Sequence, residues 1–226
     1  MIDTNGAPVR RRTRPPKISS AEIFSTALVM LDEAGHEALS MTRVAERLGV
    51  TTMALYRHVK DRRDLEAGVV ELAFSDVMMD NSAVSDWRVG VERWMWSIRS
   101  HWLRHPWIES LIRTGDHVSP GGFAVMDRLA LLLEQTALDE TERAQAIVWV
   151  ARIAVGLVCL ELQAPTHVGH RPDTLLDMME PDQLGRWTRL MPAVVGFSND
   201  DVFDTAVRMT VAHLDQRSAA AGSRAQ

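Results

Sequence analysis

The stretch Met41–Lys60, MTRVAERLGVTTMALYRHVK, constrains the fold of this chain more than any other. Its pattern predicts two short helices meeting at a sharp angle. Ser40 or Thr42 offers a hydroxyl to an orphan backbone N–H at the start of the first. Val44, Ala45 and Leu48 recur at helical spacing and face inward. Gly49 then stops the helix, because a left-handed C′ position suits a residue without Cβ. Val50 returns to the core, and Thr51 opens a second helix, Thr52–His58, whose inward residue is Leu55. Thr52, Met53, Tyr56, Arg57 and Lys60 are left outside. A small Ala45, then Gly49, then a polar and aromatic second helix is the pattern of a helix-turn-helix. In such a unit the first helix braces the phosphate backbone of DNA and the second enters the major groove.

The run Leu39–Leu65, with LGV, then ALYRHVK, then DRRDL, resembles the DNA-binding domain of the tetracycline-repressor (TetR) family, over roughly residues 18–75. By that resemblance Tyr56 and Lys60 contact phosphates, and the exposed start of the second helix, Thr52, Met53 and Ala54, reads bases. Thr42, Arg43, Thr51, Arg57, His58 and Arg62 complete the expected DNA-facing set. A plain helical hairpin would give no reason for Thr, Tyr, Arg, His and Lys to share one outer face. The remainder of the chain resembles the family's ligand-binding half through its all-helical pattern and the HPW at His105–Trp107.

Net charge is −5, yet its distribution favours nucleic acid. Residues 1–64 hold eleven Lys/Arg against eight Asp/Glu, and the rest fourteen against twenty-two. A basic head on an acidic body suits phosphate attraction, which follows local charge. With 46% apolar residues among 226 the chain can bury a sizeable core. The lone Cys159 has no partner for an intramolecular disulfide. No apolar leader opens the chain and no apolar run reaches about 18 residues, so a soluble, cytoplasmic protein with no membrane partner is expected.

Along the chain, residues 1–17 read as a disordered basic arm, and 18–80 as the head with the start of a connector helix. Residues 81–216 read as an all-helical ligand-binding and dimerisation domain, and 217–226 as a disordered tail. In the head, Ser19 or Ser20 caps a helix at Ala21–Glu33, and Asp61 caps the connector, Arg62–Met79. Beyond a boundary at Asn81–Ser85, helices are expected at Trp87–Leu103, Trp107–Arg113 and Phe123–Thr136. A hub helix, Glu140–Leu162, should be buried nearly all round, since Arg152 alone interrupts its apolar stretch from Ala146 to Leu160. Short helices at Asp173–Glu180 and Gln183–Met191 precede a last one, Asp201–Gln216. The fold class is all-α in two parts, a three-helix head and a helical bundle.

No phosphate-cradling loop, nucleophile elbow or HExxH is present, so no enzyme and no cofactor is expected. His101 with His105, and His167 with His170, have spacings a metal tolerates, but neither pair has a full ligand set nearby. A metal bridging the ligand, as in the founding repressor, stays an open alternative. All seven Trp lie beyond residue 80. Each is foremost a core residue, but together with Met they suit an aromatic-walled pocket.

Helical spacing puts Trp149, Arg152, Ile153 and Gly156 on one side of the hub, with Trp94, Ile98, Trp102 and Met126 closing a cavity from neighbouring helices. Arg152 there pairs with a carboxylate of its own domain or anchors the ligand. Gly156 implies that something packs close to its backbone. Ala151, Ala154 and Val155, with Val207, Val211 and Leu214 of the last helix, are expected to pair two copies. The implied function is a homodimeric regulator, most simply a repressor, released from a palindromic DNA operator by a small apolar or aromatic effector. The rivals are an architectural DNA protein without effector and an enzyme with an accessory DNA-binding head.

Overall fold

The computed structural model describes residues 18–75, 77, 85–113, 120–163 and 179–224, with 111–113 as backbone only. The basic arm, most of the expected boundary segment, His167, His170 and nearly all of the helix expected at Asp173–Glu180 lie outside these residues. Among the described residues ten α-helices and one 3₁₀ turn are formed, with no strand. They divide into two compact units, Met1–Val69 and Val70–Gln226.

In the first unit α1 (Ser20–Ala34) starts in a capping box: Ser19 Oγ accepts from Glu22 N–H at 3.2 Å, and Glu22 Oε2 accepts from Ser19 N–H at 2.8 Å. A 3₁₀ turn, His36–Ala38, leads to α2 (Met41–Arg47), which Ser40 caps by accepting from Arg43 N–H. Gly49 sits at φ +67°, and Val50 N–H reaches back to the Ala45 carbonyl at 3.0 Å. This is the Schellman closure that a residue without Cβ makes cheap. Thr51 caps α3 by accepting from Ala54 N–H at 3.2 Å.

Regular α-helix ends at Leu55, three residues before the expected His58. Residues 56–58 tighten into a turn in which His58 N–H bonds the Leu55 carbonyl, and Val59 is carried into the core. Then comes α4 (Arg62–Ser75), with Asp61 accepting from Asp64 N–H and Asp64 from Lys60 N–H, both at 2.8 Å. Ile23, Ala27, Leu31, Val44, Leu55 and Leu65 are fully buried between these helices. Gly68 makes room in α4 for Phe24: a Cβ there would fall 2.3 Å from the Phe24 ring and force that ring to move.

The second unit contains α5 (Trp87–Arg104), α6 (Ile108–Arg113), α7 (Pro120–Leu133), α8 (Glu140–Gln163), α9 (Pro181–Gly196) and α10 (Asn199–Arg224), and it also takes in the last turn of α4. Asp86 caps α5, whose stripe Trp87, Val91, Trp94, Met95, Ile98 and Trp102 is buried as its spacing requires. Helix α7 begins three residues earlier than expected, with Pro120 in its first turn, a place where proline's missing N–H costs nothing.

Three expectations are corrected in this unit. Helix α8 is not buried all round. Only Ala146, Val150, Ala154 and Val158, four apart, face the interior, where α5, α7 and α10 pack on it. Val148, Trp149, Arg152, Gly156 and Leu160 are exposed. At 24 residues α8 is also long and apolar enough to cross a membrane, by length and composition. Its helical partners and the charges of Glu142, Arg152 and Glu161 suit a bundle helix instead. Second, a Cβ on Gly156 would meet nothing within 4 Å, so no neighbour presses on its backbone.

Third, residues 217–224 are not a frayed tail but the last turns of α10. Glu142 accepts from Arg217 at 3.3 Å and Arg224 at 2.8 Å, and Ser218 Oγ accepts from Ala137 N–H at 3.0 Å. The Arg224 hydrogen bond foremost, then the bond to the Asp139 N–H, holds the Glu142 carboxyl below its ordinary range. A depressed carboxyl contributes stability that is present above its unfolded pKa and lost as pH falls through its folded one. A chain ending at Gln216 should therefore show Glu142 titrating closer to the ordinary carboxylate value in an NMR pH series. An unchanged titration would mean that the tail does not hold Glu142.

Candidate nucleic-acid interface

The outer surface of the helix-turn-helix carries the side chains expected of it. Met53 is 70% exposed and Tyr56 49%, too much for core residues of their size. Thr42, Arg43, Thr51, Arg57, His58, Lys60 and Arg62 are exposed as well, while Thr52 and Ala54 are half-buried at the start of α3. Several are committed before any DNA arrives. Thr51 is the cap of α3, and Arg43 donates to the Ala38 carbonyl at 3.3 Å. Arg62 donates from Nε to Glu66 Oε1 at 2.7 Å, and His36 Nε2 lies 2.9 Å from that same oxygen. Sequence reasoning missed Glu66 and His36. The signal available was the Arg62–Glu66 spacing of four on one helix.

A junction inside the second unit was also missed. The last turn of α4 is bound at two points: Glu71 Oε2 accepts from Gly121 N–H at 2.7 Å, and the Phe74 ring lies 5.1 Å from His101. The carboxylate thus sits at the N-terminus of α7, where orphan N–H groups and the helix dipole favour an anion. His101 and His105 are 3% and 4% exposed, so they are interior aromatic contacts with ring centroids 4.9 Å apart. Among the described residues no group of three or more His, Cys, Asp or Glu could hold a metal ion. Burial foremost, then Glu109, raises the Cys159 thiol above its usual range, which disfavours a nucleophilic thiolate.

The expected ligand and dimer residues are sorted differently by the structure. Trp94, Ile98 and Trp102 are buried together on α5, with Trp94 Nε1 donating to the Val125 carbonyl at 2.8 Å, and Met126 is half-buried. Trp149, Arg152 and Gly156 do share a side of α8, but it is the outer one, with Ile153 half-buried at its margin. Arg152 is exposed, so it is neither the buried ion pair nor the interior anchor expected of it.

Ala154, Val207 and Leu214 are 0%, 2% and 1% exposed within the chain's own core, so they have no surface to offer a second copy. Ala151, Val155 and Val211 are half-buried. The buried charge lies elsewhere. Arg99 on α5 bonds Glu161 of α8 at 2.7 and 2.8 Å and Asp200 of α10 at 2.5 Å. Between α8 and α10 an open crevice of about 480 Å³ is lined by Gln145, Trp149, Met209, His213 and Arg217, with Trp149 and His213 5.3 Å apart.

Two family models match the chain. "Bacterial regulatory proteins, tetR family" covers residues 23–67, and "Tetracyclin repressor-like, C-terminal domain" covers residues 82–215. The chain belongs to the TetR family. Among curated relatives of this TetR-family chain, the HTH-type transcriptional repressor DrrR1 of Streptomyces coeruleorubidus is 28% identical over 154 residues, 65% of this chain and 56% of that protein. An HTH-type transcriptional regulator of Saccharopolyspora erythraea is 25% identical over 154 residues, 68% of this chain and 65% of that protein. The chain thus spans less than two thirds of the length of these relatives.

The class C tetracycline repressor of Escherichia coli is 42% identical over 55 residues, 24% of this chain and 25% of that one. Among solved structures, apo ActR from Streptomyces coelicolor shares the fold, with a TM-score of 0.74 at 23% identity over 94% of this chain and 99% of that one. ActR has also been solved in complex with actinorhodin and with (S)-DNPA. These comparisons point to a family of regulators and not to an enzyme.

Proposed function

We propose that this TetR-family chain is a homodimeric, cytoplasmic transcriptional repressor that leaves a palindromic operator when a small aromatic effector binds. The observation that carries the reading is the exposed Thr52–Lys60 face, with Met53, Tyr56 and Lys60 presented from a capped recognition helix. Support for a small-molecule effector comes from the complexes of ActR, and for an aromatic one from the buried Trp94, Ile98 and Trp102 of α5, beside half-buried Met126. The second copy is proposed to cover the outer apolar side of α8, with Val148, Trp149 and Leu160, and Met209 of α10. Selection from random duplexes by the full-length chain tests the reading. It should enrich an inverted repeat, and an aromatic effector should then release the complex. A chain that enriches no sequence contradicts it.

The transmitting element in this reading is α4, which begins in the first unit and ends in the second. An effector shifts the equilibrium only if it binds two states differently. The Glu71–Gly121 and Phe74–His101 contacts let a shift of α5 or α7 act on the end of α4. Glu71→Gln should therefore leave operator affinity within about twofold, while weakening effector-driven release by about 1 kcal/mol of coupling. Titrating the operator complex with effector measures this. Unaltered release would remove Glu71 from the coupling.

A further inference from the structure

We infer that Glu66 and His36 are positioning residues for DNA contact: they hold the Arg62 guanidinium by its Nε edge and leave the opposite edge preset for a backbone phosphate. The inference rests on the DNA-binding reading above. Arg62 lies in the first turn of α4, two residues beyond Lys60. Its Nε–H donates to Glu66 Oε1 at 2.7 Å, and the His36 ring reaches that same oxygen from Nε2 at 2.9 Å. Arg62 Nη2 also lies 3.5 Å from the His36 carbonyl oxygen. The Glu66 side chain is 11% exposed and that of Arg62 47%, so a buried carboxylate anchors a cation that looks outward.

A guanidinium is a rigid plane with five N–H donors, so fixing Nε–H fixes the direction of the others. With Nε and Nη2 placed, the plane also sets the direction of Nη1, whose N–H groups are of the kind that grip phosphate oxygens. Because the long side chain is ordered in folding, little of that ordering is left to be done on binding.

Helix stability is a poor reason for the arrangement. A cation in the first turn opposes the helix dipole, and an Arg placed N-terminal to its Glu is the weaker order of an i,i+4 pair. A phosphate at this turn reverses the first objection, since an anion there is favoured.

The test measures operator affinity against salt concentration for the full-length parent, Arg62→Lys, Glu66→Gln, the double variant and Lys60→Ala, with thermal unfolding as a check on folding. Arg62→Lys keeps the charge, so it should keep the salt slope, yet lose about fivefold in affinity with the fork. Glu66→Gln should weaken the parent about threefold, because a neutral acceptor holds the guanidinium less firmly. In the Arg62→Lys background it should leave affinity unchanged or tighter, since no fork remains to be held.

Parental affinity in Arg62→Lys overturns the inference, as does Glu66→Gln that fails to weaken the parent or weakens both backgrounds alike. Should Glu66→Gln not fold, Arg62→Lys alone decides. Parent protein that binds no duplex, or a Lys60→Ala slope that does not fall, overturns the DNA reading itself and this inference with it.

Discussion

Arg99→Ala should destabilise the second unit by about 3–5 kcal/mol, the cost of removing one partner from a buried ion pair. The Arg99 guanidinium lies 5.3 Å from the ring centres of both Trp96 and Phe203, and its side chain is 9% exposed. Its carboxylates are unequal. Glu161 is 13% exposed and Asp200 77%, so nearly all the penalty falls on Glu161, left half-desolvated without a donor. The bond to Glu161 foremost raises the Arg99 pKa beyond its already high ordinary value, so Arg99 does not titrate in the accessible range. Arg99→Met with Glu161→Leu should recover much of the loss, because a well-packed apolar pair often replaces a buried ionic one. Denaturant unfolding followed by Trp fluorescence measures both. A loss below about 1 kcal/mol for Arg99→Ala would make the pair a surface contact in energetic terms.

Val148→Glu should convert the proposed dimer to monomer at micromolar concentration and weaken operator binding by at least about a hundredfold. Val148 is 51% exposed on the outer side of α8, which also carries Trp149 and, more than three turns further on, Leu160, which is 64% exposed. In a two-fold assembly each substitution occurs twice, so two uncompensated carboxylates enter one interface at about 3–5 kcal/mol each. The operator effect follows because one head alone loses the gain from binding two linked half-sites. Sedimentation of parent and variant decides. A parent that is monomeric at micromolar concentration, or a variant that stays dimeric, contradicts the proposed surface.

Local signals were legible where one residue settles the backbone. Ser19, Ser40, Thr51, Asp61 and Asp86 cap helices, and Gly49 adopts the left-handed conformation its position demands. The faces of α5 were legible because its apolar residues form one stripe with polar residues opposite. The faces of α8 were not. A helix apolar on nearly every side carries no phase, so whether Ala154 or Trp149 points inward depends on its neighbours.

The same ambiguity exchanged two arginines. Arg152 stood out because it interrupts an apolar run, whereas Arg99 sits in an ordinary amphipathic helix, and its partners Glu161 and Asp200 lie 62 and 101 residues away. Such separations leave no mark in spacing. In the DNA-facing set, exposure was legible from the helical pattern for Met53, Tyr56, Arg57 and Lys60, whereas Thr52, expected outside, is half-buried. The bond from Arg62 Nη2 to the His36 carbonyl was not legible, since it joins residues 26 apart.

The most direct test of the central claim is sequence selection repeated with substitutions on the α3 surface. Exchanging Thr52 or Met53 should change which operator is enriched, because these side chains stand at the start of the recognition helix. Lys60→Ala should keep the parental preference, weaken all duplexes alike and lower the log–log salt slope by about one. Thr52 and Met53 variants that enrich the parental operator, with Lys60→Ala leaving the slope unchanged, would show that this surface does not read DNA.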